Sequence, residues 1–363
     1  MSNKLKMKRK KRRVGFFGVT ARLLMLVAAS LLALSYLSIV VNPASLWFFS
    51  LFGILFLPLF VFNVFLLVWA VVRRSGSFWI PLLALLPSAF LFNQYVGFHG
   101  ASRQESEWKI LSYNLGRFEF ARNDSLSSDD RMTAVFAKIK AENPDVICLQ
   151  EFCVPTDRDI RAICKRHFPR YECAYFAFPG IRKKVGNVTL SRYPVLSRSS
   201  QTFEGSTNLV LYTDIDFAGR QLRVCNCHLQ SYSISLPGLI KSVDDEDYLR
   251  RTGEKMKRSI TRRPVQVDEI LKNIDLCPLE SIVCGDFNDT PASHTYFALR
   301  KGHRDSFVEA GRGFGATYYY MWPLLRIDYL LHGNSLQAIR HVSPHWRWSD
   351  HYPVIVDFVW NKQ

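Results

Sequence analysis

The stretch Ser281-Ile-Val-Cys-Gly-Asp-Phe-Asn288 is among the most informative segments of this 363-residue chain. It begins as a short apolar run, typical of a buried strand, and ends in Asp286 and Asn288. If the strand continues, these two side chains point to one side. There a carboxylate can bind a metal or orient water, and an amide can donate to a phosphate oxygen. The same residues also permit a turn capped by Asx side chains.

Five more polar clusters end apolar runs in the last 260 or so residues. They are Ser-Tyr-Asn ending at Asn114, Gln150-Glu151, Cys-His-Leu-Gln around His228, Arg-Ile-Asp-Tyr around Asp328, and Ser-Asp-His at 349–351. A strand fixes where its last side chain points, and the loop end leaves that side chain free to meet substrate. Together the clusters supply carboxylates, amides and two histidines, which is the mixture that phosphate-ester hydrolysis needs.

Two of these clusters support individual predictions. Asp328 lies inside an apolar run, where a carboxylate is costly unless it is paired, and a protonated histidine would satisfy it. Glu151 ends the run 146–150 and is the best candidate for the principal metal ligand; the alternative is a strand-end acid in water. His228 ends the run 222–227; taken alone, it is more typical of a core histidine than of a catalytic one.

Extended and helical patterns alternate after residue 108. Strands are predicted at 109–115, 146–150, 171–178, 187–190, 209–217, 221–228, 281–284, 327–331 and 354–360, and helices at 129–142, 157–167 and 265–274. This mixture of hairpins and crossovers predicts an α/β domain with a two-layer sheet core and helical flanks. Residues 231–263 are predicted to be a long charged loop, either bordering the site or forming a solvated surface insertion.

As a set, the clusters resemble the endonuclease/exonuclease/phosphatase superfamily, which includes DNase I-like nucleases, inositol-polyphosphate 5-phosphatases and neutral sphingomyelinases. The residues that carry the resemblance are Asn114, Glu151, His228, Asp286, Asn288, Asp328, Asp350 and His351, in this order. It covers roughly residues 109–360 and implies a four-layered α/β sandwich for 109–363. It also implies a Mg²⁺ or Mn²⁺ ion held mainly by Glu151, with Asn114 and Asp350 nearby.

The resemblance further implies a role for each remaining cluster. Asp286, helped by Asn288, would orient the attacking water. His351, paired with Asp328, would stabilise phosphoryl oxygens or shuttle a proton, and His228 would protonate the leaving group or bind phosphate. Substrate binding is expected of two further residues, Asn187 in the family's middle strand and Arg326 beside Asp328.

One position departs from the DNase I-like pattern. Those nucleases have a Glu two residues after the Ser of the middle strand, where it supports the catalytic histidine. Here Ser191-Arg192 is followed by Tyr193, which does not fix a histidine tautomer as a buried carboxylate does. This departure argues against plain DNA cleavage.

Three apolar stretches, 20–41, 47–72 and 78–98, precede this domain. Each is near or above the roughly 20 residues that span hydrocarbon. They predict three transmembrane helices, preceded by a basic cytoplasmic tail at 1–19 and followed by a linker at 99–108. The alternatives are core helices of a soluble protein and a cleaved signal peptide.

The charge distribution predicts orientation. Residues 1–13 hold eight Lys/Arg and no acid, which places the N-terminus in the cytoplasm and the catalytic domain outside it, on the periplasmic side of the inner membrane in a bacterium. Residues 1–100 hold 11 of the 47 Lys/Arg and no Asp/Glu. The net charge of +16 is therefore mostly a topology signal and weak evidence for nucleic acid.

The predicted protein is thus a membrane-anchored bacterial phosphoesterase or phosphodiesterase. Its substrate is expected to be a nucleic acid, a nucleotide or a phospholipid head group, with nuclease-like activity favoured and lipid head-group cleavage as the alternative. An inactive membrane-bound binding module is the alternative of another class. No protein partner is predicted. Four cysteines in apolar strand-like runs, Cys148, Cys225, Cys227 and Cys284, are expected to pack in the core rather than form disulfides or a zinc site.

Overall fold

A computed structural model describes residues 16–100, 102–120, 126–232 and 244–361. Its helices are α1 (Phe16–Val40), α2 (Phe49–Ile54), α3 (Phe56–Val72), α4 (Trp79–Leu85), α5 (Ser128–Ala141), α6 (Ile160–His167), α7 (Glu246–Asp275), α8 (His294–Arg300) and α9 (Ser306–Ala310). Its strands are β1 (Val96–Phe98), β2 (Trp108–Asn114), β3 (Val146–Pro155), β4 (Glu172–Phe178), β5 (Lys183–Ser191), β6 (Val195–Thr202), β7 (Leu209–Phe217), β8 (Arg220–His228), β9 (Glu280–Asp286), β10 (Arg304–Asp305), β11 (Arg312–Phe314), β12 (Asp328–His332), β13 (Leu336–Val342) and β14 (Val354–Trp360).

Most strands form two six-stranded mixed sheets. The first has the order β13-β14-β2-β3-β5-β4, and the second β10-β12-β9-β8-β7-β6. Apolar side chains from both sheets interdigitate between them, among them Ile110, Val146 and Val356 from the first and Val224, Ile282 and Leu330 from the second. Helices α5 and α6 cover the outer face of the first sheet, and α7 and α8 that of the second. The prediction of two mixed sheets flanked by helices is confirmed.

Strand register brings the polar clusters together. Each sheet contains one parallel pair, β2 with β3 and β8 with β9. In the second sheet His228 and Asp328 both lie opposite Asp286, and in the first sheet Asn114 lies opposite Gln150. The polar ends of four strands therefore meet at one edge of the sandwich.

Helix α7 corrects one prediction. The structure places residues 246–263 in this helix rather than in a loop, and Asp245 caps it by accepting a hydrogen bond from the Tyr248 amide. The loop prediction was wrong for this part because dense charge hid the helical pattern, whereas residues 233–243 lie outside the described ranges. Strand β6, polar and at the edge of its sheet, was missed for a similar reason.

The prediction of three transmembrane helices is also corrected, because within the described ranges only residues Gly18–Val40 form a helix long and apolar enough to cross a membrane. The second stretch is divided at Leu55 into α2 and α3, and α3 has 17 residues. The third has a short helix, α4, followed by two 3₁₀ turns and then by β1, which pairs with β11. Its last residues are held by pairing with β11 and not by a membrane helix.

The N-terminal helices pack directly on the sandwich at residues 290–292. Ser38 Oγ donates to the Ala292 carbonyl at 2.6 Å, and Thr290 Oγ1 donates to the Gly53 carbonyl at 3.2 Å. The Ala292 amide donates to Tyr95 Oη at 3.1 Å. This contact lies two to four residues beyond Asn288, so the apolar helices support the loop that follows β9.

Candidate active site

Asp286 is the centre of the polar cluster. Its side chain is buried, and Asn114 Nδ2 and Asn288 Nδ2 each donate to Oδ2 at 2.9 Å. The Asn288 amide donates to Oδ1 at 2.8 Å. The Nε2 atoms of His351 and His228 lie 3.7 and 4.0 Å from Oδ2. Three N–H donors thus fix the carboxylate between two imidazoles.

His351 is paired with Asp328, as the family resemblance implied. Its Nδ1 lies 2.9 Å from Asp328 Oδ2, and both side chains are buried. The Asp328 amide donates to Thr317 Oγ1 at 3.0 Å, which holds the strand end in place. With Nδ1 engaged by a carboxylate, Nε2 is the ring atom that faces Asp286.

Glu151 and His228 form the second half of the site. His228 Nε2 lies 3.4 Å from Glu151 Oε1, and Arg117 Nε donates to Glu151 Oε2 at 3.1 Å. Glu151 has a left-handed φ of 49° at a bulge in the β3–β5 pairing. Such strain in a residue with a side chain is maintained by its surroundings and is typical of functional sites.

The three predicted metal ligands surround the turn 114–117. Asn114 Oδ1 accepts from the Gly116 amide at 3.0 Å, and Arg117 holds Glu151. A Cβ atom on Gly116, whose φ is +52°, would lie 2.9 Å from Asp350 Oδ1. Glycine therefore permits this close approach, and Asn114, Glu151 and Asp350 each contact or closely approach the turn 114–117.

Burial and neighbouring charges separate the pKa values of the site. Burial raises the pKa of Asp286 to about 7, although His351 opposes this shift. Burial lowers the pKa of both histidines, but for His351 the attraction of Asp328 and Asp286 outweighs it, so that its pKa lies well above the usual value. Burial also raises the pKa of Glu151, and His228 and Arg117 reverse that shift, so its pKa is lowered.

An open cleft of about 480 Å³ gives access to this half of the site. It is lined by Arg117, Glu151, Gly205, Ser206, Thr207, Asn208, His228, Gln230 and Ser231. Polar groups therefore surround Glu151 and His228 on the solvent side.

Two predicted substrate-binding residues do not line this cleft. Arg326 is buried, and its two Nη atoms donate to Asp305 at 2.6 and 2.8 Å, so it is a core ion pair and the prediction that it binds substrate is corrected. Asn187 is also buried and donates to the Asn226 carbonyl at 2.9 Å, while its Oδ1 has no hydrogen-bond partner among the described residues. This amide lies between the two sheets, beneath the site.

The position of Tyr193 in the structure contradicts the argument that this residue disfavours DNA cleavage. Ser191 pairs with Val146 at the start of β3, whereas Glu151 lies beyond the middle of that strand. The Tyr193 ring lies 4.8 Å from Phe217, at the end of β7 opposite the one that pairs with His228. Tyr193 therefore does not stand where a carboxylate would support His228, and its identity does not argue against nucleic acid as substrate.

Sequence reasoning assigned no role to several supporting residues. Buried Arg263 on α7 donates to the Asn288 carbonyl, lies 3.4 Å from Asp289 and stacks on Tyr232. Gln150 Nε2 donates to Ser112 Oγ at 3.1 Å and to Asn226 Oδ1 at 2.8 Å, which ties the two sheets together below Glu151. Arg117 had a local signal, since it follows Asn114 by three residues; Arg263 had none because its partners are remote in sequence.

Family models match both parts of the chain. Residues 111–351 match the model described as Endonuclease/Exonuclease/phosphatase family. Residues 17–95 match a domain of unknown function. No curated protein matches the chain.

Solved structures with this fold align with about 70% of the chain. An endonuclease/exonuclease/phosphatase from Beutenbergia cavernae aligns with a TM-score of 0.53 and 18% identity over 70% of this chain and 72% of that chain. One from Bacteroides vulgatus aligns with a TM-score of 0.51 and 17% identity over 71% and 100%. D. rerio TDP2 complexed with single strand DNA product aligns with a TM-score of 0.50 and 18% identity over 70% and 100%. At these identities the likeness shows the fold alone.

Proposed function

We propose that this chain, which belongs to the endonuclease/exonuclease/phosphatase family, hydrolyses phosphate esters by attack of a water molecule with the help of a divalent metal ion. The observation that carries the proposal is the environment of Asp286. Three N–H donors hold this buried carboxylate, and a carboxylate-bound histidine and a second histidine face it. A carboxylate fixed beside two imidazoles is suited to positioning water for attack.

Glu151, Asn114 and Asp350 would hold the metal ion. Two carboxylates and an amide oxygen are the donors that Mg²⁺ or Mn²⁺ prefers. The absence of a side chain at Gly116 supports the fit, since a Cβ there would lie 2.9 Å from Asp350 Oδ1. When bound, the metal supplies positive charge that offsets the charge developing on the phosphoryl group.

Asp286 is the acceptor that orients the attacking water. Asn288 and Asn114 each donate to its Oδ2, and the Asn288 amide engages Oδ1, so the carboxylate does not rotate away. A pKa raised to about 7 by burial makes it a base matched to neutral pH.

The two histidines take different roles. His351, charged because Asp328 holds its Nδ1, presents a positive Nε2–H to a phosphoryl oxygen. His228, whose pKa is lowered by burial, is neutral at pH 7 and binds a substrate oxygen from the other side. This favours phosphate binding over protonation of the leaving group for His228.

Helix α1 is proposed as a membrane anchor. Large apolar side chains along α1 and α3, such as Leu23, Val27, Phe65 and Val72, are each more than half exposed, and lipid would cover them. The basic residues 1–13 favour a cytoplasmic N-terminus, and one crossing places the catalytic domain outside. An alkaline phosphatase fused after residue 100 should be active on the periplasmic side; activity only in the cytoplasm contradicts this orientation.

Cleavage of lipid head groups is the second candidate. It is favoured by the contact between the apolar helices and residues 290–292, which lie close to Asn288. This contact places the site near the C-terminal end of α1, the proposed membrane anchor. An inactive binding module is disfavoured because all eight residues of the predicted set are retained.

Hydrolysis of bis-p-nitrophenyl phosphate by the full chain in non-ionic detergent tests the proposal. Activity should require Mg²⁺ or Mn²⁺, and Glu151→Ala and Asp286→Ala should each lower kcat by about 10³-fold because each removes a group that acts on the transition state. Glu107→Ala, which removes an exposed carboxylate from the linker region, is the matched control and should match the wild type. Equal activity in excess EDTA would overturn the metal assignment, and near-normal turnover of either variant would remove that residue from the site.

A further inference from the structure

Four basic residues form a stripe along the first half of α7. Arg251, Lys255, Arg258 and Arg262 follow one another at intervals of four, three and four residues. At 3.6 residues per turn this spacing places them on one face of the helix. We call this set the α7 stripe; its first three members are exposed and Arg262 is half-buried.

The stripe is not neutralised by acids. No carboxylate of the residues that the structure describes lies within 4.0 Å of a charged nitrogen in any of the four. The neighbouring Arg250 shows the contrast, because it lies 3.3 Å from both Asp247 and Glu254. The stripe therefore presents four positive charges to solvent in a row about 16 Å long, at 1.5 Å per residue.

The stripe begins at the rim of the active-site cleft. Arg262 Nη1 donates to the carbonyl of Gly205, a residue that lines the cleft, at 3.2 Å. The next residue, Arg263, contacts the Asn288 carbonyl beneath the catalytic loop. One turn earlier, Ser259 Oγ donates at 2.7 Å to the carbonyl of Ser231, which also lines the cleft. A polyanion seated in the cleft would therefore leave it along the stripe.

The stripe does not face the apolar helices. Lys257, on another side of α7, lies over the Trp47 ring at 5.8 Å and marks the flank that meets the connection between α1 and α2. At 100° per residue the stripe is centred roughly 130° around the helix axis from Lys257. This geometry favours a substrate strand over a bilayer as the occupant.

We propose that the α7 stripe binds the phosphate backbone of a single-stranded polynucleotide whose scissile ester lies in the cleft. The proposal rests on the proposed function and extends it by naming the substrate class and the surface that holds it. A positively charged track that follows the backbone binds such strands without reading sequence, and its affinity falls steeply with salt.

The test measures binding of a fluorescent 20-nucleotide single-stranded DNA to the full chain in non-ionic detergent and EDTA, across a salt series. The variant is R251Q/K255Q/R258Q/R262Q. Its log Kd should rise less steeply with log salt, by about 0.7 for each phosphate that the variant no longer neutralises, and its Kd at low salt should be at least about 10-fold weaker. The milder K255Q/R258Q alters two side chains that make no hydrogen bond or ion pair within the described ranges, and should show half the change in slope.

A matched control removes four charges elsewhere, in K138Q/K165Q/R166Q/R170Q on and beside α5 and α6, where all four residues are exposed. It should bind as the wild type does. Wild-type affinity and salt slope in both stripe variants would overturn the proposal. So would a loss of binding to anionic phospholipid vesicles with DNA binding intact, which would assign the stripe to the bilayer.

Turnover of bis-p-nitrophenyl phosphate separates this proposal from the proposed function. A wild-type chain that binds DNA through the stripe but hydrolyses no phosphodiester supports the stripe and contradicts the catalytic assignment. Hydrolysis of the small ester by the wild type, together with normal DNA binding by the stripe variants, supports the catalytic assignment and contradicts the role of the stripe.

Discussion

His351 and His228 stand on two sides of Asp286 and differ in one contact. Both are almost equally buried, at 6% and 7% exposed, and their Nε2 atoms lie 3.7 and 4.0 Å from the same carboxylate oxygen. His351 has a second carboxylate, Asp328, at 2.9 Å from Nδ1. Among the residues that the structure describes, the nearest acid to His228 is Glu151 at 3.4 Å, and His228 Nε2 makes no hydrogen bond.

Burial alone therefore does not set the charge of a histidine. Burial lowers the pKa of both, yet the pKa of His351 ends well above its usual value and that of His228 ends below it. A carboxylate at hydrogen-bond distance in a low-dielectric site decides the outcome. The site thus holds one cationic and one neutral imidazole. His351 can stabilise negative charge on the phosphoryl group, and His228 can bind a substrate oxygen without adding positive charge.

Removing the carboxylate partner of His351 should abolish the difference in charge between the two histidines, and we expect it to lower activity more than replacement of His228 does. Asp328→Asn keeps the shape of the side chain but removes the charge that keeps His351 protonated. We expect kcat for bis-p-nitrophenyl phosphate to fall by about 10³-fold with little change in KM, because the interaction is used mainly in the transition state. Asp305→Asn, which disrupts a buried pair outside the site, is the control for nonspecific loss of packing.

In the metal-free protein, the effect of Asp328→Asn on the free energy of unfolding should depend on pH. Because the folded pKa of His351 is raised above the unfolded value of about 6.5, its pair with Asp328 stabilises the fold fully below that pH and is lost as pH rises through the folded pKa. The free energy of unfolding of wild type should therefore exceed that of Asp328→Asn most near pH 5 to 6, and the gap should narrow in alkali. A gap that widens with pH would show that His351 is neutral.

The members of this site were predictable because they end apolar runs. Asp286, Asp328 and His228 lie at strand ends or beside them, and the register that aligns them follows from the burial of the strands between the two sheets. Arg326 was assigned wrongly because sequence adjacency to Asp328 does not tell which way its side chain points. Its partner Asp305 is 21 residues away, on β10.

Other features depend on contacts that no local pattern contains. The stretch at 78–98 is apolar enough to suggest a span, but Tyr95 is buried against the sandwich and β1 pairs with β11. Helix α7 is highly charged in its first half, so its pattern resembled a loop, and only its second half packs on the sheet. In both cases tertiary contact outweighed the composition of the segment.

Replacing His228, the neutral histidine, should lower activity less than replacing Asp328 does. His228→Gln retains a hydrogen-bonding side chain, so we expect about a 10-fold loss in kcat/KM, mostly in KM, because a neutral imidazole mainly binds the substrate. The loss should be similar for a p-nitrophenyl ester and an alkyl ester, since no proton is donated to the leaving group. His294→Gln, a histidine outside the cleft lining, is the matched control. A loss that grows steeply as the leaving group becomes more basic would instead make His228 a general acid, and the two histidines would then share one charge state.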